Sequence, residues 1–450
     1  MRHIGGSARR GLLAGFAAAA LALVVAPTQS AFGAVSDQGT PCVQPCTVVS
    51  PTSGGNSAPT IQAAIDASAP GSTVLLNPGG YLLSQPIRVR TGVRLLGSGV
   101  DVTTLKLDRA NWPKFSYGYM VTPDATATGV TVANLTIDGS RADSIAAGIT
   151  PAANTGGAVK LGSGWTVSNL RLTNANYFRI WLKDVSAVTV RDCTFDDRGG
   201  SGSGNDLIGG GGVSGATITN NRVEASASGN ALDLLRSRGI TYSGNIVDGS
   251  ASKPHNLYLE GVTDSTVSAN TLRGSSVSVQ SDSGYASTVS ATNPVRISVL
   301  GNTISGTAVH AIAIRYDTHP GGQTIGGGNL VADNSITTPG TAGVLVHSAA
   351  IGLATADTIR GNTITEPFAS AKTEWNTGYG VAPSAGIIIG FGQGTSVTGN
   401  RVNDTLSQGL VTTGIAVGIR NSRGVTPTLS NTSGNSVSGD LKTVFNVVIK

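Results

Sequence analysis

Three acids stand near the middle of the chain, each beside a short apolar pulse: Asp206 in NDLIGG (205–210), Asp233 in NALDLL (230–235) and Glu260 in NLYLE (256–260). If these pulses are strands on successive turns of a coil, the acids share one face and drift diagonally. A coil step of about 4.8 Å and a two-residue step of about 6.6 Å put neighbours about 8 Å apart. That falls in the ~6.5–9.5 Å range that leaves room for a water between a carboxylic acid and a carboxylate acting on a glycosidic bond. Neighbouring carboxylates also raise one another's pKa, as a general acid requires. Asp233 is the expected centre, with Glu260 or Asp206 as its partner. The alternative is that these are surface acids paired with Arg236 or Lys183.

Around them the same pulses present cations and rings. The outward set includes Lys160, Arg179, Trp181, Lys183, Tyr258, Gln280, Arg315 and His347, with Asp184, Arg236, Asp317 and His319 in the turns just beyond. Arginines, lysines and histidines can clamp an acidic sugar or a developing negative charge. Trp181 and Tyr258 suit the flat apolar face of a pyranose. Only 12% of the residues are charged, so their concentration on one pulse per repeat is a signal. The other pulses place Thr, Ser and Asn outward. Two long insertions, TEPFASAKTEWNTGYG (365–380) with Glu366, Glu374, Trp375 and Tyr379, and DTHPGGQTIGGG (317–328), are expected to wall a groove.

The frame that must position these residues repeats. An apolar residue followed three positions later by Asn, then another apolar residue two beyond, recurs as ITNNRV, YSGNIV, VSANTL, VLGNTI, VADNSI, IRGNTI and VTGNRV. The aligned residues are Asn221, Asn245, Asn270, Asn302, Asn334, Asn362 and Asn400, spaced by 24, 25, 32, 32, 28 and 38 residues. VANLTI, VSNLRL and VRDCTF keep the apolar frame without the Asn. Periods of this size mean a solenoid. The pulses are too short for helices, and period-two alternation means strands. Consecutive strands lie too close together for helical crossovers, so each coil stacks its inward side chains on the next. Stacked Asn at a turn can hydrogen-bond along the axis, and these residues are read as turn architecture.

At the N-terminal end, TIQAAIDAS (60–68) spaces Ile61, Ala64 and Ile65 on one helical face, with Thr60 as the expected N-cap. Such a helix would cover the open end of a solenoid. The cap helix, the PGGYLL turn, the GVRLLGSG strand and the Asn turns together resemble the right-handed parallel β-helix superfamily that includes pectate lyases, over roughly residues 57–440. The expected fold is therefore all-β, a single-stranded right-handed parallel β-helix solenoid with a short N-terminal capping α-helix. The fold carries many activities, so it implies no single one.

The first 34 residues are read as a signal peptide: Arg2, Arg9 and Arg10, an apolar run, then small residues before a cleavage point near Ala31 to Ala34. Residues 35–56 form an extension and 57–450 the solenoid. The formal charge of +5 falls to about +2 once those three arginines are removed, and no basic cluster remains, so a nucleic-acid partner is not expected. Neither is a membrane partner after cleavage. Cys42 and Cys46 are placed to form a small disulfide after export. Cys193 is read as a buried small residue.

Four activities fit: glycoside hydrolysis through paired carboxylates; a lyase or C5-epimerase on uronate polymers; intramolecular fructosyl transfer, as in the β-helix inulin fructotransferases; and extracellular binding without catalysis. Hydrolysis needs no cofactor, whereas a lyase could use Ca²⁺. Asp317-Thr318-His319 is similar to the Asp-Pro-His of mannuronan epimerases except at its middle residue. The spaced Asp motifs of polygalacturonases and a full pectate lyase calcium signature are not present.

Overall fold

Val, Ile, Thr and Ser favour the pleated, half-buried surface of a strand, and in this chain they occur in runs of only two to eight residues. The structure, a computed structural model, describes residues 42, 44–114, 118–150, 155–197, 205–282, 292–317, 326–348, 356–369, 384–406, 411, 413–418, 427–441 and 443–447. The chain winds these runs into a coiled ribbon. A typical coil has three short strands, such as Ile208–Gly211, Ser214–Thr219 and Arg222–Val223. The first joins a 13-stranded sheet and the other two a 25-stranded sheet, and every strand-to-strand pairing is parallel. Inward side chains from successive coils make one continuous core, with Val167, Val190, Ile218, Tyr242, Val267 and Val299 stacked in register. This is a parallel β-helix.

The bend between the two strands of the larger sheet follows one rule. The residue before each ladder Asn adopts a left-handed conformation, whether glycine (Gly244, Gly301, Gly361, Gly399) or not (Asn220, Ala269, Asp333). The Asn that follows points inward. Its Nδ2 donates to Oδ1 of the Asn one coil on, at 2.9–3.1 Å from Asn221 through Asn435. The same oxygen also accepts the preceding Asn backbone N–H. Buried amides are thus paired along the axis, as the bend requires. The ladder runs one rung beyond the seven expected, to Asn435. At its other end Cys193, buried, takes the position of an Asn, and its backbone N–H donates to Asn221 Oδ1.

A helix at Ala58–Asp66 covers the first coil, with Ile61 and Ile65 fully buried against strands Thr73–Leu76 and Ile87–Val89. It starts earlier than the spacing predicts: the N-cap is Ser57, not Thr60. The Ser57 hydroxyl accepts from the Thr52 backbone instead of capping, and Asn56 Oδ1 accepts the Ala58 N–H. Gln62 from the helix bonds both the N–H and the carbonyl of Arg88. It thereby satisfies the edge of the smaller sheet, where an exposed strand would otherwise invite pairing. Residues 46–49 already pair with Thr73–Leu76 as a strand, and Cys42 is disulfide-bonded to Cys46. The expected leader at residues 1–34 lies outside the described residues, and no described helix is long and apolar enough to cross a membrane.

Candidate active site

The pulses that carry the acids, cations and rings fall in the 13-stranded sheet, on strands from Gly157–Lys160 through Val344–Ser348. Alternation turns every second residue outward, and the pairing register stacks these residues in rows. One row runs Lys160, Trp181, Gly209, Asp233, Tyr258 and Ser278. The row two residues along runs Lys183, Gly211, Leu235, Glu260, Gln280, Arg315 and His347. Asp233 and Glu260 are therefore one coil and two residues apart, the expected diagonal of about 8 Å.

Asp206 departs from that diagonal. The register partner of Asp233 is Gly209, so Asp206 lies three residues upstream, at the corner before the strand. There its Oδ1 accepts from the Asn230 backbone and Nδ2 at 3.2 and 2.7 Å. Its charge still reaches the other two acids. Burial raises the pKa of all three; Asp206 and Glu260 push that of Asp233 further, to about 7, and Asp206 adds to the rise at Glu260.

The three environments differ. Asp233 has no hydrogen-bond or ion-pair partner among the described residues, and burial is the first cause of its raised pKa, followed by Asp206 and Glu260. Glu260 is buried, and its Oε1 accepts a short hydrogen bond from Gln280 Nε2. That bond favours the charged form against burial and the nearby Asp282. Its Oε2 is buried with no partner. Gln280 is thus the residue that holds Glu260; it was legible as an outward position but not as a partner. Asn230, which holds Asp206, gave no such signal. The pairing of the acids with Arg236 or Lys183 does not occur. Arg236 pairs with Asp282, and Lys183 pairs with Asp184 at 3.3 Å.

Beside the acids lies a group of rings. Phe178 and Trp181 have centroids 4.5 Å apart, Tyr177 and Phe178 4.6 Å, and Tyr119 extends the group from two coils earlier at 5.9 Å from Tyr177. Tyr177, Phe178 and Trp181 are half-exposed. Phe178 lies over Gly209, where a Cβ would come within 2.4 Å of the ring. Only Trp181 of this group stood out in the sequence. The aromatic pair Tyr177-Phe178 precedes the strand, where alternation no longer assigns a side.

Arg179 requires correction. It is fully buried and forms an ion pair of 2.6 Å with Asp197, also fully buried, while its Nη1 donates to the Asn205 carbonyl. It sits just before the Ile180–Lys183 strand and swings into the corner, so it does not line the outer face. His347 follows Arg315 on the second row but is covered, and burial pushes its pKa down to about 3, helped by Arg315 and His310. It is a neutral residue under cover, not an exposed cation. Lys160 and Lys183 are exposed. Tyr258 and Arg315 are half-buried on their rows, and Asp317 sits at the end of its strand with its backbone held by Asn293. Glu366 is not a groove wall: it is buried and accepts from the Thr405 and Leu406 backbone. His319, Glu374, Trp375 and Tyr379 lie outside the described residues.

Comparison with known proteins agrees with the architecture. The family model described as "Rhamnogalacturonase A/epimerase, pectate lyase-like" matches residues 49–253, and that of the periplasmic copper-binding protein NosD matches residues 200–372. No curated protein matches the sequence. Among solved structures, the catalytic domain of a GH87 α-1,3-glucanase superposes with a TM-score of 0.60 at 13% identity, covering 88% of this chain and 70% of that one. A surface adhesin of Streptococcus pneumoniae superposes with a TM-score of 0.53 at 14% identity, covering 89% and 91%. At these identities the likeness is one of fold. Coiled strands, Asn ladder and family models together make this chain a member of the parallel β-helix superfamily.

Proposed function

We propose that the protein cleaves glycosidic bonds in an extracellular polysaccharide by hydrolysis, with the sugar chain lying along the two outward rows of the smaller sheet. The observation that carries this reading is the asymmetry between two carboxyls on one diagonal. Asp233 has a pKa near 7 and no partner, so it keeps its proton close to neutral pH. Glu260 has its charge supported by Gln280 and a second oxygen left without a partner. Acid and base assignments follow from environments that push two titratable groups apart.

In this reading the Asp233 carboxyl donates its proton to the glycosidic oxygen as the bond to the anomeric carbon breaks. Glu260 Oε2 takes a proton from a water, whose oxygen attacks that carbon from the opposite face. A separation of about 8 Å by strand geometry leaves room for the water and implies inversion at the anomeric centre. Asp206 adds negative charge that keeps Asp233 protonated. Trp181 and Tyr258 offer faces to pyranose rings, and Lys160, Lys183, Arg236 and Arg315 offer donors to hydroxyl or acidic groups. The match to a pectate lyase-like family model supports the substrate class.

The test is to incubate the purified protein with neutral and acidic polysaccharides. Rising reducing ends, with the opposite anomer visible first by NMR, support the reading. Ultraviolet absorbance from an unsaturated product means elimination instead, and affinity without product means a binding module. Asp233→Asn should lower kcat by about 10²–10⁴, the usual contribution of general acid catalysis.

A further inference from the structure

The turn that leaves the active-site strand carries a second feature. On four successive coils the residue after the strand is left-handed: Asp184, Gly212, Arg236 and Gly261, with φ of 52°, 68°, 46° and 62°. Arginine is a rare occupant of that region, which favours Gly, Asn and Asp. Arg236 lies between two glycines, so neither adjoining coil places a side chain against it. Two residues on, Arg238 lies between Ser214 and Thr263 in register. The space lined by these three coils and by Thr292 is an open cleft of about 330 Å³. That is at the small end of ligand sites, suited to a single sugar unit or substituent rather than a polymer.

The charges around it do not cancel. Three acids approach the cleft, and each has its own cation: Asp184 with Lys183 at 3.3 Å, Asp264 with Arg296 at 2.6 Å, and Asp282 with Arg236. Arg238 is the cation left over. Its Nε donates to the Ser214 hydroxyl at 3.1 Å; its charge helps hold down the pKa of Asp264, which is already paired with Arg296, and no carboxylate lies within ion-pair distance of it among the described residues. An arginine fork held by a neutral hydroxyl, beside a second arginine and lined with Ser237, Thr263 and backbone turns, is a receptor for a planar or tetrahedral anion.

We propose that this cleft binds an anionic group, the carboxylate or sulfate ester of a sugar unit that projects from the same glycan that lies over Asp233 and Glu260. The cleft opens where the acid row ends. Gly261 follows Glu260 directly, and Arg236 is three residues from Asp233, about 10 Å along a strand. The glycan is then one with an uncharged unit over the rings at Trp181 and an acidic unit or branch beside Glu260. This assignment rests on the hydrolytic reading for its substrate, and on the charge balance of the cleft for its ligand class.

The experiment measures affinity separately from turnover. Oligouronates, sulfated oligosaccharides and neutral gluco-oligosaccharides are titrated calorimetrically against the wild type, Arg238→Gln and Arg236→Gly, the last keeping the left-handed turn while removing the charge. A charge-assisted hydrogen bond contributes enough that its loss should weaken an acidic ligand at least tenfold. The wild type should therefore bind one acidic class more tightly than the neutral one, and either variant should abolish that preference. Which acidic class is lost identifies carboxylate or sulfate. Unchanged acidic affinity in Arg238→Gln, or an equal loss for the neutral sugar, overturns the proposal. Turnover is followed in Asp233→Asn: activity retained there sinks the hydrolytic reading, while the affinity series still decides the cleft.

Discussion

Trp181 and Asp233 occupy the same outward row, one strand apart on either side, and the residue between them is Gly209. The Phe178 ring fills the space that a side chain at Gly209 would take. A flat aromatic surface thus runs up to the acid with no side chain of the intervening strand standing between them. The glycine is spatial here, not conformational: it makes room for a ring.

Gly209→Val should therefore push Phe178 aside and roughen the surface next to Asp233. Overpacking typically costs about 1–3 kcal/mol; Gly209 is buried beneath Phe178, but that ring is half-exposed and has room to turn outward, so the solenoid should fold. The expected result is a higher KM for the polysaccharide with the pH profile of kcat unchanged. A variant whose KM matched the wild type would remove the rings from the binding surface.

Asp233 makes both activity and stability depend on pH. As a general acid it must be protonated, so kcat/KM should fall as pH rises through about 7, and the limb reports this group in the free protein. For stability, the folded pKa lies above the unfolded value near 3.8. The folded state then binds more protons between the two, and stability declines as pH rises through that window. Asp233→Asn removes the penalty. Its Tm should exceed that of the wild type at pH near 8 and equal it at pH near 4. Equal melting temperatures at the higher pH would mean that Asp233 is not held protonated by its surroundings.

Much of the frame was legible because every coil repeats the same physical demands. Each bend in the larger sheet needs a left-handed residue followed by an inward amide, so Gly-Asn, Asp-Asn and Asn-Asn recur. The three earliest bends follow the same rule without the amide, as at Asn134-Leu135, and there the apolar frame alone showed. The outward row was legible wherever a residue sits inside a strand, as at Trp181, Asp233, Tyr258 and Glu260. It failed outside, within two residues of the strand ends. Arg179 and Asp206 lie at corners, where parity no longer fixes direction and the chain turns toward whatever partner is near, Asp197 for one and Asn230 for the other. Arg238 escaped notice because it belongs to the next strand, and its relation to Arg236 exists only once three coils stack.

The buried Arg179–Asp197 pair is structural, and its removal separates folding from binding. Asp197 also accepts from Ser228 Oγ at 2.7 Å, so the carboxylate is committed on both oxygens. Arg179→Ala leaves a buried charge uncompensated, which typically costs 3–5 kcal/mol. The expected outcome is a large fall in the denaturant midpoint with unchanged affinity for sugars in the fraction that folds. A variant of normal stability with weakened sugar binding would return Arg179 to the groove.

Asn302 tests the ladder at its middle. Its Oδ1 takes two donors from Asn270, and its Nδ2 gives to the Val267 carbonyl and to Asn334 Oδ1. Asn302→Ala orphans a backbone N–H, an amide and a carbonyl in a site that water does not reach. Each buried unpaired group costs about 1–3 kcal/mol, whereas an interior alanine on a solvent-facing row would cost little. Asp is the sharper substitution. It keeps the acceptor oxygens that serve Asn270 but loses the two donated bonds and brings a charge into the stack. Asn302→Asp should therefore be less stable than Asn302→Ala at neutral pH and recover as the acid is protonated. A solenoid is coupled only to its nearest neighbours, so hydrogen exchange should accelerate mainly on the coils around residues 267–337, leaving the N-terminal coils protected. Uniform exchange over the whole chain would show that the ladder acts through global stability and not as a local clamp on each bend.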